Sequence, residues 1–406
     1  MDSHHLYVHV PFCRLVCAYC DFVTVGGRAH DLPRYTEALI AELRLRPAPG
    51  ELRTIYFGGG TPSLMTAQSV ERIVHAAVAQ WTRVALEEVA LEANPSGRER
   101  PDWRGLRSAG VTRISLGAQG MADRQLNTLA RGHTVREVCD AFAGARAAGF
   151  NSVSIDLIYG VPGQSLDDWS AALRDAIALE PDHLSLYALS LALAPDEWAA
   201  PPRPGALRWR RRLAGRLDDD LAAAQYTLAE ETLATAGYRH YELSSWARPG
   251  HTGVHNSAYW ARRPYAGIGA GAHSYDGVDQ RSWNVRDLDA YLRSVEAGHR
   301  PIGGSERLDE PTRAFESVAL GLRRIDGLSR EEHASEFGSD LLDSHAAAVA
   351  EGIAGGVLEL TDDALRLTPR GRLMASEALI PFLPGRVEAP RSAPQIAPAP
   401  LDAAPA

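Results

Sequence analysis

Three of the chain's four cysteines, Cys13, Cys17 and Cys20, fall in one short stretch with the spacing C-x3-C-x2-C. Soft thiolates gathered in a compact loop suit an iron–sulfur cluster or zinc. The odd number favours the cluster, because a structural zinc site closes on four ligands, whereas three thiolates on a four-iron cluster leave one iron open to another molecule. Gly58-Gly59-Gly60-Thr61-Pro62 ends a β-type run further on. Glycines there let the backbone approach a ligand with no Cβ in the way, and Thr61-Pro62 excludes a phosphate loop; a plain tight turn would explain them equally well. Glu92, Gln119 and Asp156 stand at the ends of successive β-type runs. Any one could cap the following helix, but three in register are better explained as the lining of a site. Arg131 could pair with a ligand carboxylate or sit in a surface salt bridge. His255-Asn256-x2-Tyr259-Trp260 offers an imidazole as axial iron ligand beside aromatics able to cover a porphyrin face, and Arg262 and Arg263 could pair with propionates. The competing reading has His255 and Asn256 holding a turn and Tyr259 and Trp260 filling core. His251 and His273 are rival ligands.

The elements that must position these residues alternate. β-type runs at Leu6–Val10, Thr54–Phe57, Glu88–Ala93, Arg113–Gly117, Ser152–Ile158 and His183–Leu189 are separated by amphipathic helical runs such as Arg34–Leu45, Ala67–Gln80 and Val135–Ala148. Repeated strand–helix units predict an α/β fold of parallel strands with crossover helices. Six units predict a partial, TIM-like (β/α)6 barrel with function at the C-terminal strand ends. The basic run Arg208–Arg212 reads as a solvated helix face or a contact for an acidic partner. After a Gly- and aromatic-rich segment, Trp246–Tyr275, the pattern turns helical and ends in a small hairpin near Val357–Thr368, which predicts a winged-helix-like accessory domain. The Pro- and Ala-rich tail has no periodicity and reads as disordered.

The composition, 45% apolar and 23% charged, is that of a soluble globular protein, and no run is long enough to span a membrane. The chain begins almost at once with a strand, leaving no room for a signal peptide. Clustered rather than paired cysteines fit a reducing cytoplasm. A net charge of −9 argues against a nucleic-acid surface.

The cysteine triplet with Tyr19 before its last member, together with the glycine loop, resembles the radical S-adenosylmethionine (radical SAM) superfamily. His9-Val10-Pro11-Phe12-Cys13, Tyr19-Cys20-Asp21-Phe22, Ile155–Gln164 and the HNxxYW segment at His255–Trp260 resemble, more narrowly, the HemW haem chaperones, over about residues 5–382. The resemblance implies a [4Fe–4S] cluster on Cys13, Cys17 and Cys20. It implies S-adenosylmethionine at the fourth iron, contacted by Tyr7, Gly59, Gly60, Thr61, Glu92, Gln119, Arg131, Asp156 and Ser190. In this superfamily the reduced cluster cleaves the sulfonium to a 5′-deoxyadenosyl radical. It further implies haem bound at His255, Asn256, Tyr259 and Trp260, and a haem-acceptor protein as partner, for example a membrane-associated respiratory haemoprotein, with homodimerisation a family-level expectation.

The alternative is an oxygen-independent coproporphyrinogen III oxidase. Those relatives carry a fourth cysteine where this chain has Phe22, and a sizeable N-terminal extension where only twelve residues precede Cys13; both departures count against decarboxylation. Whether S-adenosylmethionine cleavage belongs to the function stays open. A lesser departure, Leu191-Ala192-Leu193-Ala194 after the sixth strand, puts local ligand contacts in doubt. The expected division is a radical SAM core barrel over 1–215, a barrel extension with the haem motif over 216–286, a helical, winged-helix-like domain over 287–383 and a tail over 384–406.

Overall fold

The computed structural model describes residues 3–47, 50–191 and 205–385. The expectations for Ala192–Ala194, Pro201–Pro204 and the tail from position 386 onward lie outside the described residues.

The six expected strands form and run parallel in chain order: β1 Ser3–Val10, β2 Glu51–Gly59, β3 Arg83–Ala93, β4 Arg113–Gln119, β5 Ser152–Tyr159 and β6 His183–Ala188. They build the sheet because apolar residues recur at alternate positions facing the helices. Leu6, Val8 and Val10, Ile55 and Phe57, Val89 and Leu91, Ile114 and Leu116, and Ile155 and Leu157 are all at most 3% exposed, within one hydrophobic core. Burying each such side chain contributes roughly 1.5–3 kcal/mol. The intervening positions, such as His5 and Tyr7, Thr54 and Tyr56, Glu88 and Glu92, or Ser115, Asp156 and Ser185, point to the other face, where His5 bonds Thr54, Tyr56 bonds Glu92, and Ser115 and Ser185 bond Asp156. A period of two therefore gives an apolar outside under the helices and a polar lumen. Helices α1 Leu32–Arg44, α2 Ala67–Gln80, α3 Trp103–Ser108, α5 Val135–Ala147, α6 Leu166–Ala178 and α8 Asp219–Thr235 cover the outside, with the short α4 Asp123–Thr128 following β4; α5 and α6 start at capping boxes, Thr134/Glu137 and Ser165/Asp168.

The sheet is wider than six strands. On one edge, β8 Ser245–Ala247 pairs antiparallel with β6, and β7 Arg239–Glu242 pairs antiparallel with β8. On the other, β9 Tyr265–Ile268 pairs parallel with β1, followed by antiparallel β10 His273–Tyr275, β11 Gln280–Asn284 and β12 Ile302–Arg307. The order is β12-β11-β10-β9-β1-β2-β3-β4-β5-β6-β8-β7, a single open sheet.

The boundary expected at 287 falls inside this larger unit. Helix α10, Leu288–Glu296, buries Leu288, Tyr291, Leu292 and Val295 in the main core, and β12 completes the sheet edge. The C-terminal unit has its own core, including Val318, Leu341, Val349, Leu358, Leu365 and Phe382. Its helices α11 Glu310–Gly321, α12 Arg330–Phe337 and α13 Leu341–Ala354 pack with a three-stranded sheet of Leu328–Ser329, Ala364–Leu367 and Leu358–Leu360, the winged-helix-like arrangement with one more strand than the expected hairpin.

Candidate functional site

The cysteine loop leaves β1 at the C-terminal end of the sheet. Phe12–Cys13 pairs with Val25–Gly26, and Val25 N donates to Pro11 O at 2.8 Å, so the loop is closed at its base. Within it Cys20 N donates to Cys17 O at 3.2 Å. A second clamp comes from helix α7, Ala206–Ala214: Arg210, only 3% exposed, donates to Ala18 O and Cys20 O at 2.9 Å each and pairs with Asp21 at 2.6 Å. The basic run is thus not simply a solvated face, since its middle arginine folds down onto the loop.

Each thiol sits differently. Thr61 Oγ1 donates to Cys13 Sγ at 3.5 Å, and Arg131 Nη1 donates to Cys17 Sγ at 2.9 Å. Burial pushes the Cys13 thiol up to about 12 and the Cys20 thiol up to about 11. Both are therefore protonated at neutral pH in the metal-free chain, and loading with iron must displace those protons. Among the described residues no three His, Cys, Asp or Glu side chains converge as the shell of a single ion would. A multi-iron cluster instead takes its thiolates at separate corners, which suits these three.

The glycine loop lies against the cysteine loop. Gly60 N donates to Val10 O at 2.9 Å, and a Cβ on Gly60 would stand 2.7 Å from Pro11 O. Gly59, at φ +115°, would place a Cβ 2.6 Å from the His9 ring. His9 is itself locked, with Nε2 donating to Val23 O at 2.8 Å and Nδ1 accepting from Tyr7 OH at 3.1 Å. This backbone has no space for side chains and presents its peptide edge instead, as a cradle for a ligand does.

Glu92 braces that loop, accepting from Gly59 N at 3.0 Å and Tyr56 OH at 2.8 Å. Burial, aided by Asp156, raises its pKa to about 7 despite both bonds. Asp156 accepts from Ser115 Oγ at 2.9 Å and is raised by burial to about 6. Two buried carboxyls raised towards neutrality make this part of the lumen a functional-site candidate. Gln119 ends β4 in the left-handed region, φ +65°, a strained conformation for a side chain other than glycine. Arg131 is drawn inward rather than left in a surface salt bridge: it also donates to Tyr19 OH, Asn94 Oδ1 and Gly117 O, and its Nε is buried without a partner. Tyr7 stacks on Tyr56, Thr61 is 6% exposed at Cys13, and Ser190 is exposed just past β6. The sequence reading missed Tyr56, Asn94, Ser115 and Arg210; Tyr56 and Ser115 were detectable as lumen positions two residues before Gly58 and Gly117.

The HNxxYW segment forms helix α9, Val254–Trp260, and lies at the other end of the lumen. His255 N donates to Glu88 Oε1 at 3.0 Å; its Nδ1 bonds Thr54 Oγ1 at 2.7 Å and its Nε2 bonds Tyr259 OH at 2.8 Å. The ring is 0% exposed and stacks on Tyr56 at 5.0 Å. Both ring nitrogens are engaged internally, so ligation of an iron by His255 would require Thr54 or Tyr259 to release it. Asn256 is half-buried on the same helix. Tyr259 and Trp260 do reach a cavity of about 480 Å³ beside the cysteine loop, which Phe22, 67% exposed, lines from the opposite side.

A family model described as the Radical SAM superfamily matches residues 7–176, and one described as the HemN C-terminal domain matches residues 308–374. The heme chaperone HemW of Mycobacterium tuberculosis is 37% identical over 378 residues, 91% of this chain and 92% of that protein. HemW of Escherichia coli is 32% identical over 390 residues, covering 93% and 97%. The solved structure of coproporphyrinogen III oxidase (HemN) from Escherichia coli superposes with a TM-score of 0.78 at 21% identity, covering 94% and 90%, a likeness of fold alone. A polar-lumen barrel with a three-thiol loop at its strand ends, matched along nearly the whole chain at this identity, belongs to the HemW haem-chaperone family of the radical SAM superfamily.

Proposed function

We propose that this protein binds haem, holds a [4Fe–4S] cluster on Cys13, Cys17 and Cys20 with S-adenosylmethionine at its open iron, and passes haem to an acceptor protein. The observation that carries this reading is the aromatic cavity against the cysteine loop, with Phe22 in its wall at the position where the oxidases place a further cysteine. Bound together, the cluster and S-adenosylmethionine supply one-electron reductive chemistry. The chain's own part is to hold the loop with Arg210, offer the Gly59–Gly60 backbone, and present Glu92 and Asp156. We carry Tyr7, Thr61, Gln119, Arg131 and Ser190 as the remaining S-adenosylmethionine contacts. Cytoplasmic placement is supported by four free cysteines; among the described residues no helix is long and apolar enough to cross a membrane. A membrane-associated acceptor and a homodimer belong to the same proposal.

The experiment is an anaerobic haem titration of cluster-reconstituted protein with coproporphyrinogen turnover assayed alongside. Tight binding without turnover supports the chaperone, whereas turnover without haem binding sinks it.

Glu92 gives this reading a pH signature. S-adenosylmethionine carries cationic ammonium and sulfonium groups, so a pairing carboxyl must be ionised. Because burial raises Glu92 to about 7, binding below that pH must first remove its proton. Affinity is expected to climb by up to about tenfold per pH unit as pH rises towards 7, then level off. Calorimetric titration with S-adenosylmethionine between mildly acidic and mildly alkaline pH checks this; Glu92→Gln should bind more weakly and flatten the profile, and an unaltered slope in the variant would refute the assignment.

A further inference from the structure

Arg131 donates to Cys17 Sγ at 2.9 Å, and that contact is held by residues from other parts of the chain. The backbone beneath it is fixed first. Where the chain leaves α4, Ala130 N donates to Asn127 O at 3.1 Å and Arg131 N to Leu126 O at 2.9 Å, with Ala130 at φ +54°. This is a Schellman turn, in which glycine is the usual residue at the left-handed position. An alanine there is strained, and the neighbouring Leu129, 0% exposed in a small core with Ile158 and Val161, holds it in place.

The side chain is fixed next. Its Nη1 donates to Cys17 and to Tyr19 OH at 3.3 Å, and its Nη2 to Asn94 Oδ1 at 2.9 Å and Gly117 O at 3.0 Å. Asn94 is oriented in turn, because its Nδ2 donates to Glu99 Oε1 at 2.6 Å and its backbone N to Ser63 Oγ at 3.3 Å. The amide therefore shows its oxygen to Arg131 and its nitrogen to Glu99.

A cation drawn inward needs a counter-charge, yet Arg131 forms no direct ion pair among the described residues. Glu99 supplies the charge at one remove, through the Asn94 amide. Burial raises its carboxyl, while the Asn94 bond and the charges of Arg14 and Arg131 hold it down. Its Oε2 is buried with no partner. A carboxylate set directly against a guanidinium tends to take two of its N–H groups at once. With an amide between them, an N–H is left for the sulfur.

We propose that Asn94 and Glu99 are positioning residues that hold the Arg131 guanidinium against the Cys17 sulfur once the cluster is bound, and that this N–H···S bond raises the cluster's reduction potential. The proposal rests on Cys13, Cys17 and Cys20 being cluster ligands. Hydrogen bonds to sulfur and local charge are the levers by which a protein sets an iron–sulfur potential, and the groups that orient such donors act one shell further out.

The test uses the full chain reconstituted with iron and sulfide, without S-adenosylmethionine. It is titrated with dithionite and mediators at mildly alkaline pH and followed by the paramagnetic resonance of the reduced cluster. Asn94→Ala is expected to load iron as wild type does and to make the reduced-to-oxidised ratio at a fixed potential about tenfold smaller, a midpoint lower by about 59 mV. On an Arg131→Gln background the same substitution should leave the midpoint where Arg131→Gln alone puts it, because Asn94 acts through Arg131. Glu99→Gln keeps an acceptor for Asn94 and removes a negative charge, so it should load normally and titrate no lower than wild type. An Asn94→Ala protein that loses its iron, or keeps the wild-type midpoint, overturns the proposal. Equal shifts in the two backgrounds overturn it as well, and a midpoint lowered in Glu99→Gln overturns the role given to Glu99. Wild-type protein that forms no cluster overturns the underlying reading instead.

Discussion

Cys17→Ala is expected to abolish the cluster. Cys17 is the thiol to which Arg131 donates at 2.9 Å, while burial pushes Cys13 and Cys20 towards the protonated form. Removing it deletes the thiol with the most direct cationic support and leaves two ligands where three are needed. Bound iron and the cluster's visible absorption should fall to background after reconstitution, and S-adenosylmethionine cleavage with them. Stability of the metal-free chain should change by less than about 1 kcal/mol, because the half-buried side chain carries little packing. A variant that retains cluster absorption at wild-type iron content would show that Cys17 is not a ligand of the cluster.

The second large effect is expected at Gly60. A methyl group there would meet Pro11 O at 2.7 Å and Phe12 O at 2.8 Å, both backbone atoms of the segment leading into Cys13. Neither can swing aside, because Gly60 N is bonded to Val10 O and Pro11 O to Val25 N. Gly60→Ala should cost about 3 kcal/mol by overpacking and displace Cys13, lowering cluster yield as well. Gly215→Ala is the matched control: nothing lies within 4 Å of its Cβ position and its φ of −71° suits any residue, so its effect should stay within about 0.5 kcal/mol. Urea denaturation of the metal-free proteins measures both; equal stabilities would refute the close approach.

Much of this architecture was legible because its signals are local. The six parallel strands are runs in which apolar and polar residues alternate, and the crossover helices follow their own period with capping residues in place. The cysteine loop, the glycine loop and Glu92 are legible for the same reason, each at a strand exit, whereas Asp156 stands out as a carboxylate inside an apolar strand. What was not legible depends on partners far apart in the chain. β9 is four residues long in a glycine-rich segment, and its pairing with β1 and β10 makes it a strand. Arg210 looks like part of a charge run until the fold brings it to Ala18 and Cys20, about 190 residues away in sequence. His255 has the chemistry of a haem ligand, an imidazole beside aromatics, and its bonds to Thr54 and Tyr259 are likewise visible only in the fold. The boundary near 287 was misplaced because α10 is an ordinary amphipathic helix whose apolar face happens to match the larger core.

The central claim is that the barrel delivers haem rather than oxidising its precursor. The most direct measurement is anaerobic transfer from haem-loaded, cluster-reconstituted protein to a purified apo-haemoprotein, followed by its Soret band, with coproporphyrinogen III, S-adenosylmethionine and reductant supplied to a parallel sample. The account predicts that the acceptor gains haem and that no vinyl groups form on coproporphyrinogen. Vinyl formation without haem transfer would contradict it.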